Sequence, residues 1–135
     1  MNLRANATFQ AGDFARLEAA LVPRITAAVD NATAHVLQVA EQRVPVDTGE
    51  LASSGGTESE WVGHAVTGSV SFTADHAAFC EFGTGIRGSE SPGAGEGITY
   101  SPTWPGMPAQ PFLRPAIDSS KAEILQAFND QGFDT

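Results

Sequence analysis

The chain has 135 residues, 41% of them apolar and 17% charged, enough for one domain with a modest core. Its formal charge of −9, from 7 Lys and Arg against 16 Asp and Glu, argues against a sequence-independent DNA-binding surface, which needs clustered cations to displace counterions from phosphate. A single cysteine excludes an internal disulfide, and no apolar run approaches the length of a membrane span.

Residues 1–12 show no clear periodicity and are expected to form an arm, without the apolar stretch of a signal peptide. A single α+β domain is expected over 13–131, followed by a tail at 132–135. Asp13 is placed to cap a helix in which Phe14, Leu17 and Leu21 recur at helical spacing. Pro23 should kink that helix or divide it. From Ile25 the stripe resumes through Val29, Ala32, Val36, Val39 and Ala40, with Asp30, Gln38, Glu41 and Gln42 opposite. His35 lies beside the stripe and reads as a boundary residue.

Pro45 ends this helix, because it lacks an N–H and pushes Val44 out of the α region. Asp47 and Thr48 can bond nearby backbone N–H groups, and Gly49 allows positive φ. Pro45, Asp47, Thr48 and Gly49 therefore form a structural corner where a helix hands over to a sheet. Leu51 to about Thr73 reads as two or three antiparallel strands, with bends or bulges at Gly63 and Gly68. Val66, Gly68, Val70 and Phe72 share one face if Ser69 and Ser71 point outward. Asp75 is expected to cap a short helix from His76 to Phe82, with Ala77, Ala78 and Phe82 packing on the sheet.

Residues 83–109 are rich in Gly and Pro and poor in aliphatics. A loop of that length is expected to work by contact with another molecule, through its spread apolar groups Ile86, Tyr100, Trp104 and Met107. One last helix follows Pro111-Phe112-Leu113-Arg114-Pro115, with Ala116, Ile117, Ile124, Leu125 and Phe128 on its apolar side.

Several chemical patterns are weighed against plainer ones. Gly83-x-Gly85-x-x-Gly88 has the spacing of a dinucleotide fingerprint, but Ser89-Glu90-Ser91-Pro92-Gly93 is not expected to start the helix that motif requires. His76 and Cys80 stand four residues apart, as a base and thiol would, yet Glu81 and the flanking Phe79 and Phe82 favour a small buried cysteine. Zinc on His64, His76 and Cys80 would lack a close fourth ligand. Glu81 and Arg114 are charges set among Phe79, Phe82, Phe112 and Leu113. Each is expected to find an opposite charge or several backbone partners, a direct Glu81–Arg114 pair being the simplest case and Arg87 the substitute cation.

Three pieces in order carry a family resemblance: Val44-Pro45-Val46-Asp47-Thr48-Gly49-Glu50-Leu51, then Ala77-Ala78-Phe79-Cys80-Glu81-Phe82-Gly83-Thr84-Gly85, then Pro108-Ala109-Gln110-Pro111-Phe112-Leu113-Arg114-Pro115-Ala116. Over roughly residues 25–130 the chain resembles the gene-product-ten-like neck or minor tail proteins of tailed bacteriophages. It departs from that pattern at His76, where the family usually has a tyrosine, and after Glu50-Leu51. The resemblance implies a non-enzymatic structural protein of the virion, present in the host cytoplasm before assembly. It implies a homo-oligomeric ring of six or twelve copies at the head–tail junction, touching head-connector and tail proteins, with DNA passing through the lumen unbound. No cofactor and no membrane are implied. Glu81, Arg87, Tyr100, Trp104, Phe112 and Arg114 are the candidate interface residues. The alternative is a small cytoplasmic thiol-dependent hydrolase using Cys80 and His76.

Overall fold

The computed structural model describes residues 11–45 and 49–133, apart from the side chains of 11–14. In order the elements are α1 (Ala11–Arg43), α2 (Glu50–Ser53), β1 (Gly55–Val62), β2 (Ala65–Phe72), α3 (Ala77–Phe82), α4 (Gly85–Ser89), α5 (Leu113–Ser119) and α6 (Lys121–Asn129). The architecture is α+β: one long helix carries an antiparallel hairpin on one part of its surface and two short C-terminal helices on another.

Helix α1 is the frame. Its 33 residues span about 50 Å at 1.5 Å per residue, longer than the rest of the domain needs. Of the expected stripe Ala32, Val36 and Ala40 are buried and Ile25, Val29 and Val39 half-buried, while Ala28, not expected in it, is fully buried. Residues 15–20 are all exposed, with Leu17 and Glu18 lining an open cleft beside Trp61, Gly63 and His64 at the hairpin tip. Asp13 lies inside this helix rather than capping it, because the helix already runs from Ala11. Pro23 neither ends nor divides it. The carbonyl it leaves unpaired belongs to Ala19, which is exposed and within reach of water.

The helix stops at Arg43, as Pro45 requires. Gly49 has φ +77°, the left-handed conformation expected of it, whereas Asp47 and Thr48 lie outside the described residues. The corner does not lead straight into the sheet. Glu50–Ser53 forms one helical turn, closed by the Ser53 N–H donating to Gly49 O, and Leu51 from that turn is buried in the core at 3% exposure.

Two strands then pair in unbroken register, from Gly55 opposite Phe72 to Val62 opposite Ala65. Gly63 turns the hairpin with φ +61°. Gly68 makes no bulge: it sits opposite Ser59, and a Cβ there would come within 2.6 Å of Val29 and Thr33 of α1. The glycine lets the helix lie close on the sheet. Val66, Val70 and Phe72 are the half-buried residues of β2, on the face predicted for them.

Around α1 the core gathers Val36, Ala40, Val44, Leu51, Ala77, Cys80, Phe112 and Ala116. Phe112 is its largest fully buried side chain, with its ring edge-on to Phe72 at 4.9 Å and 82°. Burying it contributes about 2–3 kcal/mol.

The C-terminal helix is two helices, broken at Ser120, which is fully buried. Ala116 and Ala127 face inward, while Ile117 and Leu125, expected in the core, are 44% and 52% exposed. Residues 132 and 133 belong to the domain and not to a tail. The Phe133 N–H donates to Phe128 O and that of Gly132 to Asn129 O, closing α6 with a Schellman pair of bonds. Arg24 fastens this end to α1, donating Nε–H to Gln131 O at 2.7 Å with its guanidinium 4.7 Å from the Phe133 ring centre.

Candidate functional site

The most ordered polar arrangement centres on Glu81. Helix α3 forms from Ala77 to Phe82 without a side-chain cap, so Asp75 belongs to the preceding turn and not to the helix start. Its burial follows the helical turn: Ala77, Cys80 and Glu81 face inward, while Ala78 and Phe79 are exposed. Glu81 is thereby carried into the interior at 8% exposure.

A carboxylate buried there needs compensation, and main-chain groups supply it. Oε2 accepts the N–H of Phe112 at 2.8 Å and of Leu113 at 3.0 Å, and Oε1 accepts the N–H of Arg114 at 3.0 Å. These are the unpaired donors at the start of α5, and a negative charge is favoured at that end of a helix. The expectation of several backbone partners describes Glu81. The ion pair with Arg114 does not: Arg114 contributes its backbone N–H, and its side chain is exposed. With both oxygens occupied, Glu81 is a latch joining α3 to α5.

The segment between them closes on its own subunit, contrary to the expectation that it chiefly serves another molecule. Thr84 and Met107 exchange two main-chain bonds, Thr84 N–H to Met107 O at 2.9 Å and Met107 N–H to Thr84 O at 3.1 Å. Ile86 N–H donates to Trp104 O and Arg87 N–H to Pro105 O. A short helix, α4, does form within 83–89, against expectation. The glycine spacing has a packing cause: a Cβ on Gly83 would lie 2.6 Å from the Ala109 nitrogen, and one on Gly85 would collide with Trp104 O. These glycines admit the returning strand of the loop.

Serines not singled out in the sequence complete the closure. Ser91 Oγ accepts the Ala109 N–H and donates to Gly88 O, while Ser101 Oγ accepts from Thr103 and Trp104. Each precedes a proline, and that Ser-Pro pairing was the available signal. The Tyr100 hydroxyl bridges the loop, donating to Phe82 O at 2.8 Å and accepting the Gly95 N–H at 2.9 Å.

The candidate interface residues therefore separate. Phe112 and Glu81 are buried in their own subunit and are withdrawn from the interface set, because the α5 latch consumes both. Tyr100 is half-buried and its hydroxyl is engaged internally. Arg87, Trp104 and Arg114 remain exposed, Trp104 at 56%.

Beside the latch lie two open clefts of about 660 and 530 Å³ that share Glu81, Phe82, Arg114 and Asp118 as walls. A smaller cavity of about 230 Å³ is lined by Pro45, Gly49, Leu51, His76, Cys80, Met107 and Gln110. It holds both residues of the thiol alternative. Cys80 is 8% exposed, and its N–H donates to His76 O as part of α3. No cluster of metal-ligating side chains occurs among the described residues, and none of their helices is long and apolar enough to cross a membrane. No protein-family model, curated protein or solved structure matches the chain.

Proposed function

We propose that this protein is a structural subunit of the tailed-phage head–tail junction, assembling as a homo-oligomeric ring between head-connector and tail proteins. The observation that carries the reading is an imbalance between interior and surface. Six of the eleven buried apolar residues are alanines, while Val62, Trp104, Phe79, Leu125, Leu17 and Ile117 stand 67% to 44% exposed. Large side chains spread around a small core suit a subunit completed by its neighbours. The first turns of α1 add to this, since residues 15–20 are exposed among the described residues, and Leu17 and Glu18 line only an open cleft with Trp61, Gly63 and His64.

The three sequence pieces that resemble the phage family also find roles in this reading. One makes the corner after α1, and the other two are joined by the Glu81 latch. In this reading they serve as structural joints. The charge of −9 suits a channel wall along which DNA must slide.

Light scattering and negative-stain micrographs of the purified protein test this. Closed rings of six or twelve copies are expected, forming alone or on addition of the connector. A protein that stays monomeric over the accessible concentrations, with and without connector, overturns the reading.

A further inference from the structure

The hairpin packs one face on α1 but is only two strands wide, so among the described residues no further strand pairs with either outer edge. Its free edges can be assigned from one bond. The Thr73 N–H donates to Ser54 O, so the pair just beyond the strand ends is a bonded one. Bonded and unbonded pairs alternate along an antiparallel ladder. By that alternation Val66, Gly68, Val70 and Phe72 of β2 turn their N–H and C=O groups away from β1.

The two edges differ in charge. Strand β1 carries Glu58 and Glu60, both exposed, whereas β2 has no charged residue along its whole length. Two β1 edges brought together would crowd four carboxylates, a known protection against edge pairing. Beside β2 there is also room. An apolar groove of about 290 Å³ separates it from the C-terminal helices, with Gly68, Val70, Ile117, Ile124 and Phe128 among its walls.

We propose that the free edge of β2 receives the free edge of β1 from a second copy, head to tail, so that the hairpins of successive subunits join in one continuous sheet. This rests on the ring reading above and names the contact that builds it. The occupant follows from charge and register. Within one chain β2 already seats Glu58 opposite Ser69 and Glu60 opposite Thr67, so its uncharged, hydroxyl-bearing outer face tolerates both carboxylates. Head-to-tail addition keeps every neighbouring pair antiparallel and uses both edges of each copy. Pairing β2 with β2 leaves two acidic edges open and stops at a dimer. A head-to-tail contact repeats and closes when its rotation allows.

Cysteine cross-linking between two co-expressed variants tests this directly. Glu58→Cys and Ser69→Cys lie on exposed positions, each tolerable to the fold, and a disulfide needs Cα atoms roughly 4.4–6.8 Å apart. Thr67→Cys and Ser71→Cys probe the registers to either side. Under mild oxidation, co-expressed Glu58→Cys and one of the β2 variants should give covalent dimers. Each variant alone should give no more than the unsubstituted protein, whose buried Cys80 sets the background. Covalent dimers from Ser69→Cys alone, or from Glu58→Cys alone, overturn the head-to-tail arrangement. Micrographs showing rings without any cross-link in the three mixtures overturn this contact and leave the ring intact. Monomers throughout overturn both.

Discussion

The region around Glu81 and the β1–β2 hairpin use similar kinds of residue to opposite ends. Around Glu81, main-chain donors, Ser91 and the Tyr100 hydroxyl are bonded inward, and Phe112 fills the space beneath. Along the hairpin, Thr57, Glu58, Ser59, Glu60, Thr67 and Ser69 are exposed, and Val62 at the turn is 67% accessible. One region secures the subunit. The other, with Trp104 and the start of α1, offers surface that the subunit does not use. Substitutions should therefore divide into those that unfold the subunit and those that leave it folded but unable to assemble.

The largest effect is expected at Phe112. Phe112→Ala opens a cavity in the core and should cost about 3–5 kcal/mol, lowering the thermal midpoint by roughly 10 °C or more. Next is Glu81→Ala, which strands three N–H donors and should cost about 3 kcal/mol in chemical denaturation. Adding Arg114→Glu to Glu81→Arg should recover none of the loss, because the Arg114 guanidinium is not the partner. Recovery in that double variant would restore the ion pair and break the account of the latch.

Tyr100→Phe removes one bridging hydroxyl at a half-buried site and should cost about 1 kcal/mol, read from the urea midpoint. Trp104→Ala is expected to have the smallest effect on the isolated subunit, under about 1 kcal/mol. Its effect on assembly should be larger, at least tenfold in the concentration needed to form rings. If Trp104→Ala instead unfolds the subunit as readily as Phe112→Ala does, the two regions are not different in kind.

Local chemistry made some of this legible in the sequence. The burial of Ala32, Val36 and Ala40 follows from helical spacing, and the end of α1 follows from Pro45. Gly49 adopts the positive φ that its place in the corner suggested. The alternating face of β2 follows from a period of two. In each case the deciding partner lies within a few residues along the chain.

The errors have the opposite cause. That Glu81 would meet the N–H groups of Phe112, Leu113 and Arg114 depends on residues 31 to 33 positions away. That Gly83 and Gly85 must be glycine depends on where Trp104 and Ala109 return. Phe112 and Ile117 both read as apolar, yet only the packing of Phe72 against one of them decided that Phe112 is core and Ile117 surface. The sequence by itself determined where α1 ends, the left-handed turn at Gly49 and the alternating face of β2, because bonding and sterics between near neighbours are set by residue type. Which polar groups are consumed inside the subunit, and which edges and side chains are left over, was decided only by the tertiary structure, because a buried group's free energy depends on partners that the fold brings from elsewhere.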